Sequence, residues 1–157
     1  MTRTERKAYL NELWLLLWHN KGDGIPDWSN RELKRFIEWN LAYRKLFVVR
    51  DGDKMVAAGA AWRIRHPDDF DQINSNLSWE ATETGDYLYI PYVVVREGHR
   101  RGGALIILLH MALKRYQGVT QIMYHRLRKG KRMPVIMPIT RILRLLLGAT
   151  RHGLKTA

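Results

Sequence analysis

Residues 89–116 read "YIPYVVVREGHRRGGALIILLHMALKRY": an apolar run, two arginines, two glycines, and a second apolar run at helical spacing. With Tyr87 and Leu88 before it, the first run is apolar on both faces, which marks a strand inside a sheet. Pro91 lacks the N–H that a ladder needs and marks an edge or a bulge. Plain alternation sets Tyr87, Tyr89, Pro91, Val93 and Val95 on one face and Leu88, Ile90, Tyr92 and Val94 on the other. The second run reads as a buried helix whose polar side is His110, Lys114 and Gln117. Between the runs, Gly102 and Gly103 let the backbone come close to a ligand. The helix N-terminus adds partial positive charge, turn amides of this kind bind phosphate, and Arg100 and Arg101 add planar cationic forks. The corner reads as a diphosphate seat, or as a glycine turn that only redirects the chain.

Outward from this corner, local signals repeat. "TRTE" at 2–5 and "SNRE" at 29–32 have capping-box spacing, each followed by apolar residues at helical period, so two helices are expected. The second ends near Arg44. "KLFVVRDGDKMVAAGAAWRIR" predicts a hairpin turning at 51–53, with Gly59 either a bulge or a tightly packed strand glycine. Residues 66–86 form a long acidic connection, the kind of segment that often carries function. "VTQIMYH" predicts a strand, "RLRKGKRMP" a basic loop, and "ITRILRLLLG" a last helix stopped by Gly148. The fold class is α/β: one domain over 1–157, a central, mostly antiparallel mixed sheet flanked by helices.

Charge divides the 157-residue chain. Residues 1–65 hold 13 basic and 8 acidic side chains, 66–95 hold six acids and no Lys or Arg, and 96–157 hold 14 basic residues and one acid, within a net charge of +12. Such a field favours nucleic acid, anionic lipid or a phosphorylated small molecule. The chain has no cysteine, which excludes disulfides, thiolate metal sites and a cysteine nucleophile. Its six histidines show no metal-ligand spacing, so no metal is expected. No signal core or spanning run appears, and a cytoplasmic protein is expected.

The order of elements, from the second helix to Gly148, resembles the GCN5-related N-acetyltransferase (GNAT) family. The family's phosphate loop reads R/Q-x-x-G-x-G/A, and Arg100, Arg101, Gly102, Gly103 and Ala104 fall on it, with Leu105 replacing the final small residue. The resemblance implies that backbone groups at Val93 and Val95 hold the pantetheine arm of acetyl-CoA, or of a related acyl-CoA, with the diphosphate on the glycine corner. It implies transfer of an acyl group to an amine: a small molecule, a protein lysine or a tRNA-linked amine. Where relatives carry a glutamate base, this chain has Tyr89; where many carry a tyrosine acid in the last helix, it has Arg144.

Chemistry must then come from other groups. His125 has a side chain suited to taking and giving a proton. Glu80 and Glu83 can attract a cationic amine, and Tyr89 can bond a substrate. The candidate catalytic residues are therefore His125, Tyr89, Glu80 and Glu83. Residues 126–132, five of seven basic, suit the coenzyme's ribose phosphate or a nucleic-acid backbone. The acceptor pocket is open or completed by a second subunit in a homodimer. An alternative reading is a catalytically degenerate scaffold that binds nucleic acid or a protein partner; a structural protein at a membrane or in a virion is a third.

Overall fold

Both capping boxes form. In the computed structural model, which describes residues 2–20, 29–68, 83–100, 103–128 and 131–153, Glu5 N–H donates to Thr2 Oγ1 (3.2 Å) and Thr2 N–H donates to Glu5 Oε2 (2.6 Å). Ser29 and Glu32 repeat the exchange at 3.3 and 2.8 Å. Each cap is worth about 1 kcal/mol. They start α1 (Arg3–His19) and α2 (Asn30–Ala42). Leu13, Leu16 and Leu17 of α1 and Leu33 and Ile37 of α2 enter the core, as the helical period predicts.

The chain then builds β1 (Leu46–Asp51), β2 (Lys54–Ile64), β3 (Tyr87–Val95), α3 (Ala104–Arg115), β4 (Gln121–Arg128), β5 (Lys131–Pro138) and α4 (Ile139–Gly153). The five strands lie in sequence order, and every neighbouring pair is antiparallel except β3–β4. Parallel strands need a crossover, and α3 supplies it. α1 and α2 cover one face, while α3 packs on β1 and β2 from the other. Glu12 pins α1 to the hairpin: it accepts Met55 N–H (2.8 Å) and Arg50 Nη2 (2.9 Å).

Pro91 sits in a bulge. Pairing jumps from Ala60↔Tyr92 to Trp62↔Tyr89, so Ile90 and Pro91 together oppose Ala61. The extra residue reverses the alternation beyond it, which corrects the plain period-2 reading. Tyr89 and Tyr92 share the α2 face: Phe36 lies 5.4 Å from the Tyr92 ring and Trp62 lies 5.4 Å from the Tyr89 ring. Ile90 and Val93 share the α3 face.

Other expectations change as well. Gly59 keeps regular register with Phe47 and Val93, and a Cβ there would meet Tyr92 O and Val93 Cγ2 at 3.2 Å. It is the packed strand glycine, not the bulge. α3 is not buried all round. Ala104, Leu108, Leu109 and Ala112 face the sheet, while Leu105, Ile107 and Met111 are exposed at 41%, 48% and 37%. The described residues of the basic stretch 126–132 are strand rather than loop, with Leu127 opposite Arg132 and Arg128 opposite Lys131. Backbone groups alone make the ladder, and an edge strand such as β5 tolerates charge well. Gly148 does not stop α4, which runs to Gly153, because Gly148 lacks the left-handed conformation of a stop.

The core sets a pH response. Burial pushes the Tyr92 phenol far above the ordinary range, and burial is also the main cause raising Tyr9 and Tyr116. Burial lowers the ammonium pKa of Lys45, against the opposing effect of its Glu83 partner. Above about pH 10 the folded chain keeps phenolic protons that the unfolded chain releases, so stability falls as pH rises. Lys45 acts in the opposite sense: its unfolded form holds the proton more tightly, so rising pH favours the fold until about 10.4. Three phenols outweigh one amine. The urea midpoint is expected to drop between pH 9 and 11; a constant or rising midpoint would contradict this balance.

Candidate active site

β3 and β4 pair only from Tyr87↔Gln121 to Ile90↔Tyr124, although β3 continues to Val95 and β4 to Arg128. The bulge at Ile90 and Pro91 begins where this pairing ends. The sheet therefore forks. On the β4 side, Tyr92–Val95 have no strand partner among the described residues, leaving backbone groups at Val93 and Val95 open to an extended ligand.

The corner beyond the fork is anchored at its start. Arg96 N–H donates to Val56 O (2.8 Å), its Nε donates to Met55 O (3.3 Å), and His99 N–H donates to Arg96 O (3.0 Å). His99 Nε2 lies 3.4 Å from Asp51 Oδ2. Gly103 is the N-cap of α3 with φ 78°, and no side chain caps it. A Cβ on Gly103 would meet nothing within 4 Å, so the space beside this residue is open. The first N–H groups of α3 have no intrahelical partner, and the Gly103 N-cap, having no side chain, does not compete for them. Ala104 is buried beneath the turn and Arg100 is exposed. Arg101 and Gly102 lie outside the described residues.

Beside the fork is an apolar cavity of about 70 Å³ between the sheet, α3 and α4. Gly59, Ile90 and Val93 line it from the strands, Leu105 and Leu109 from α3, and Ile142 from α4. Leu105, the residue that departs from the loop pattern, thus narrows the cavity. Leu105 and Ile142 were missed as lining residues in the sequence. Only the position of Leu105, two residues after Gly103, hinted at it.

On the other face, two residues singled out by type meet. Tyr89 Oη lies 3.2 Å from His125 Nδ1, with ring centroids 5.7 Å apart and nearly perpendicular. Tyr89 belongs to the last paired stretch of β3, and His125 is the first residue of β4 beyond it. Trp62 packs edge-on against Tyr89 and fixes its ring. A hydroxyl–imidazole pair can hold and relay a proton, in the direction set by the imidazole tautomer.

The carboxylates are placed differently. Glu83 Oε1 is shared by the buried Lys45, in a short ion pair, and by Arg115 at 3.6 Å. Lys45 Nζ also lies over the Tyr116 ring, 5.6 Å from its centroid. Glu83 thus ties the end of the acidic connection to the residue preceding β1 and to the end of α3, before the start of β3. Glu80 lies outside the described residues. Arg144 is exposed on α4. Among the described residues no three His, Asp or Glu gather as a metal site, and no helix is long and apolar enough to cross a membrane.

No protein-family model matches the chain, and no curated protein matches it. Solved structures do. The GphF GNAT-like decarboxylase in complex with isobutyryl-CoA aligns with TM-score 0.53 at 19% identity, over 78% of this chain and 64% of its own. The loading GNATL domain of CurA from Lyngbya majuscula aligns with TM-score 0.53 at 20% identity, over 75% and 60%. The diaminobutyrate acetyltransferase EctA from Paenibacillus lautus, in complex with its substrate L-2,4-diaminobutyric acid and coenzyme A, aligns with TM-score 0.52 at 17% identity, over 90% and 68%. The chain therefore spans less than two thirds of the first two structures' own length. The forked mixed sheet, its crossover helix and these alignments place the chain in the GNAT fold.

Proposed function

We propose that this chain is an acyl-CoA-dependent N-acyltransferase. The observation that carries the reading is the fork: β3 leaves β4 at Ile90, an apolar cavity opens beside Val93, and the uncapped α3 begins at a left-handed Gly103. These parts suit an arm that extends along a strand edge and ends in a diphosphate. The residues that would hold it are Val93 and Val95 through their backbone, Arg100, Arg101 and Gly102 at the corner, and Gly103 and Ala104 at the helix start. That the coenzyme also accompanies the fold in two of the aligned structures, acylated as isobutyryl-CoA in one and as free coenzyme A in the other, supports the choice.

When bound, the coenzyme supplies an activated acyl thioester. The chain's own residues would position the amine against it and manage two protons: the first is lost by the ammonium, and the second leaves the nitrogen as its bond to the acyl carbon forms and ends on the released thiol. His125 takes up the proton that an incoming ammonium must lose, and Tyr89, hydrogen-bonded to Nδ1, keeps the imidazole oriented and shares that proton. Positioning two reactants in the fork supplies much of the acceleration by itself. Glu83, engaged by Lys45 and Arg115, has a structural part in this scheme.

The test is thiol release from acetyl-CoA in the presence of amines, including L-2,4-diaminobutyrate, spermidine and a lysine peptide. The chain has no cysteine, so a thiol reagent meets no background from the protein. Amine-dependent release that falls at least tenfold with Arg100→Ala at subsaturating acetyl-CoA is expected. Release that no amine stimulates, alongside tight RNA binding, would favour the non-catalytic scaffold instead.

A further inference from the structure

A second cavity, about 460 Å³, lies between α1 and α2, on helices that take no part in the fork. Its size falls in the range of small-molecule sites. Arg3, Arg6, Lys7 and Lys34 line it with exposed side chains; Leu10 and Trp14 are half-buried there, and Ile37 is buried. The α1 residues stand at positions 3, 6, 7, 10 and 14, a spacing that puts them on one helical face. The arrangement is therefore polarised. The three α1 cations lie at the N-terminal end, and the Trp14 indole, with Lys34 of α2 beside it, lies about 12 Å beyond Arg6 along the axis at 1.5 Å per residue.

Among the described residues the cations meet no carboxylate partner. None of Arg3, Arg6, Lys7 and Lys34 forms an ion pair among the described residues, although Glu38 lines the same cavity. Lys34 Nζ lies 5.3 Å from the centre of the Trp14 ring, which stacks on Trp18 at 5.6 Å. The Trp14 indole N–H is shielded from solvent and has no acceptor among the described residues. Charge thus accumulates around an apolar floor carrying an unanswered donor.

We propose that the α1–α2 groove is a binding site for a small amphiphilic anion: a flat apolar body on Leu10, Trp14 and Ile37, with a phosphate, sulfonate or carboxylate held by Arg6 and Lys7. A polyanion fits less well. Arg3–His19 and Asn30–Ala42 together carry six Lys or Arg against four Glu, so the wider field over these helices is weak. What distinguishes the groove is local concavity combined with charge at one end.

The test uses 8-anilinonaphthalene-1-sulfonate and its uncharged counterpart N-phenyl-1-naphthylamine, titrated by fluorescence into wild type and the Arg6→Ala/Lys7→Ala variant. Both substituted side chains are exposed, and an unchanged melting curve verifies the fold. One saturable sulfonate site is expected, weakened by salt and about tenfold weaker in the variant, with the uncharged probe unaffected. Ile107→Asp, on the exposed face of α3, should leave the sulfonate site intact. Equal sulfonate affinity in wild type and variant, or displacement by acetyl-CoA, would overturn the proposal. Competition by a 20-nucleotide RNA that depends on Arg6 and Lys7 would overturn it in favour of a polyanion surface.

Discussion

Gly85→Ala is expected to destabilise the fold by about 3–5 kcal/mol, near the upper end for one substitution. Gly85 has φ 119°, and a Cβ there would lie 2.0 Å from Ile64 O, 2.3 Å from Ile64 C and 2.7 Å from Arg65 N. All three are backbone atoms at the end of β2, so no flexible side chain can yield. The chain re-enters the sheet here to begin β3, and the register of β3 places both the bulge and the fork. For a domain of this length the midpoint should fall by roughly 6–20 °C. Gly52→Ala is the control: its φ is 56°, but nothing lies within 4 Å of the added carbon. It should cost only about 1–2 kcal/mol for the left-handed backbone. Equal effects at the two positions would contradict the close approach of Gly85 to β2.

His125→Ala is expected to lower amine acylation about 100-fold or more in kcat, with little change in KM for the coenzyme. Tyr89→Phe keeps the ring that packs on Trp62 and removes only the hydroxyl, so its loss should be smaller, roughly tenfold, without a change in melting point. The pH profile separates chemistry from structure. Wild-type kcat/KM should rise with pH and flatten as the base loses its proton, and the His125→Ala profile should lack that inflection. If both variants stay within about threefold of wild type, the Tyr89–His125 pair does not handle the proton.

The parts of this architecture that sequence revealed are those set by near neighbours. Thr2 with Glu5 and Ser29 with Glu32 are three residues apart, and each box formed. The passage from β3 to α3 was visible because the two elements follow one another along the chain. Pro91 announced a disturbance, yet its effect depends on how Ala61 of β2 counts against two residues of β3. That is a property of two strands, and it moved Tyr92 onto the face of Tyr89. Tyr89 and His125 each stood out by chemistry, but their contact requires the parallel register that α3 imposes. Glu83 looked like a free acceptor-side acid because its partner Lys45, 38 residues earlier, lies just before β1. Charge misled at 126–132, because the ladder there is made by backbone groups that the side-chain pattern does not report. Helical period misled in α3, whose apolar outer face is exposed.

The central claim is that the fork and the α3 N-terminus seat an acyl-CoA, and calorimetric titration with acetyl-CoA tests it most directly. Wild type should bind one equivalent with micromolar affinity. At a hundredfold excess over Kd the fold should gain about 2.7 kcal/mol, raising the midpoint by roughly 5–11 °C. Arg100→Ala and Gly103→Val should each weaken binding about tenfold or more, the first by removing a charge and the second by disfavouring the left-handed turn. No heat and no thermal shift at millimolar acetyl-CoA, or full affinity retained in both variants, would contradict the account.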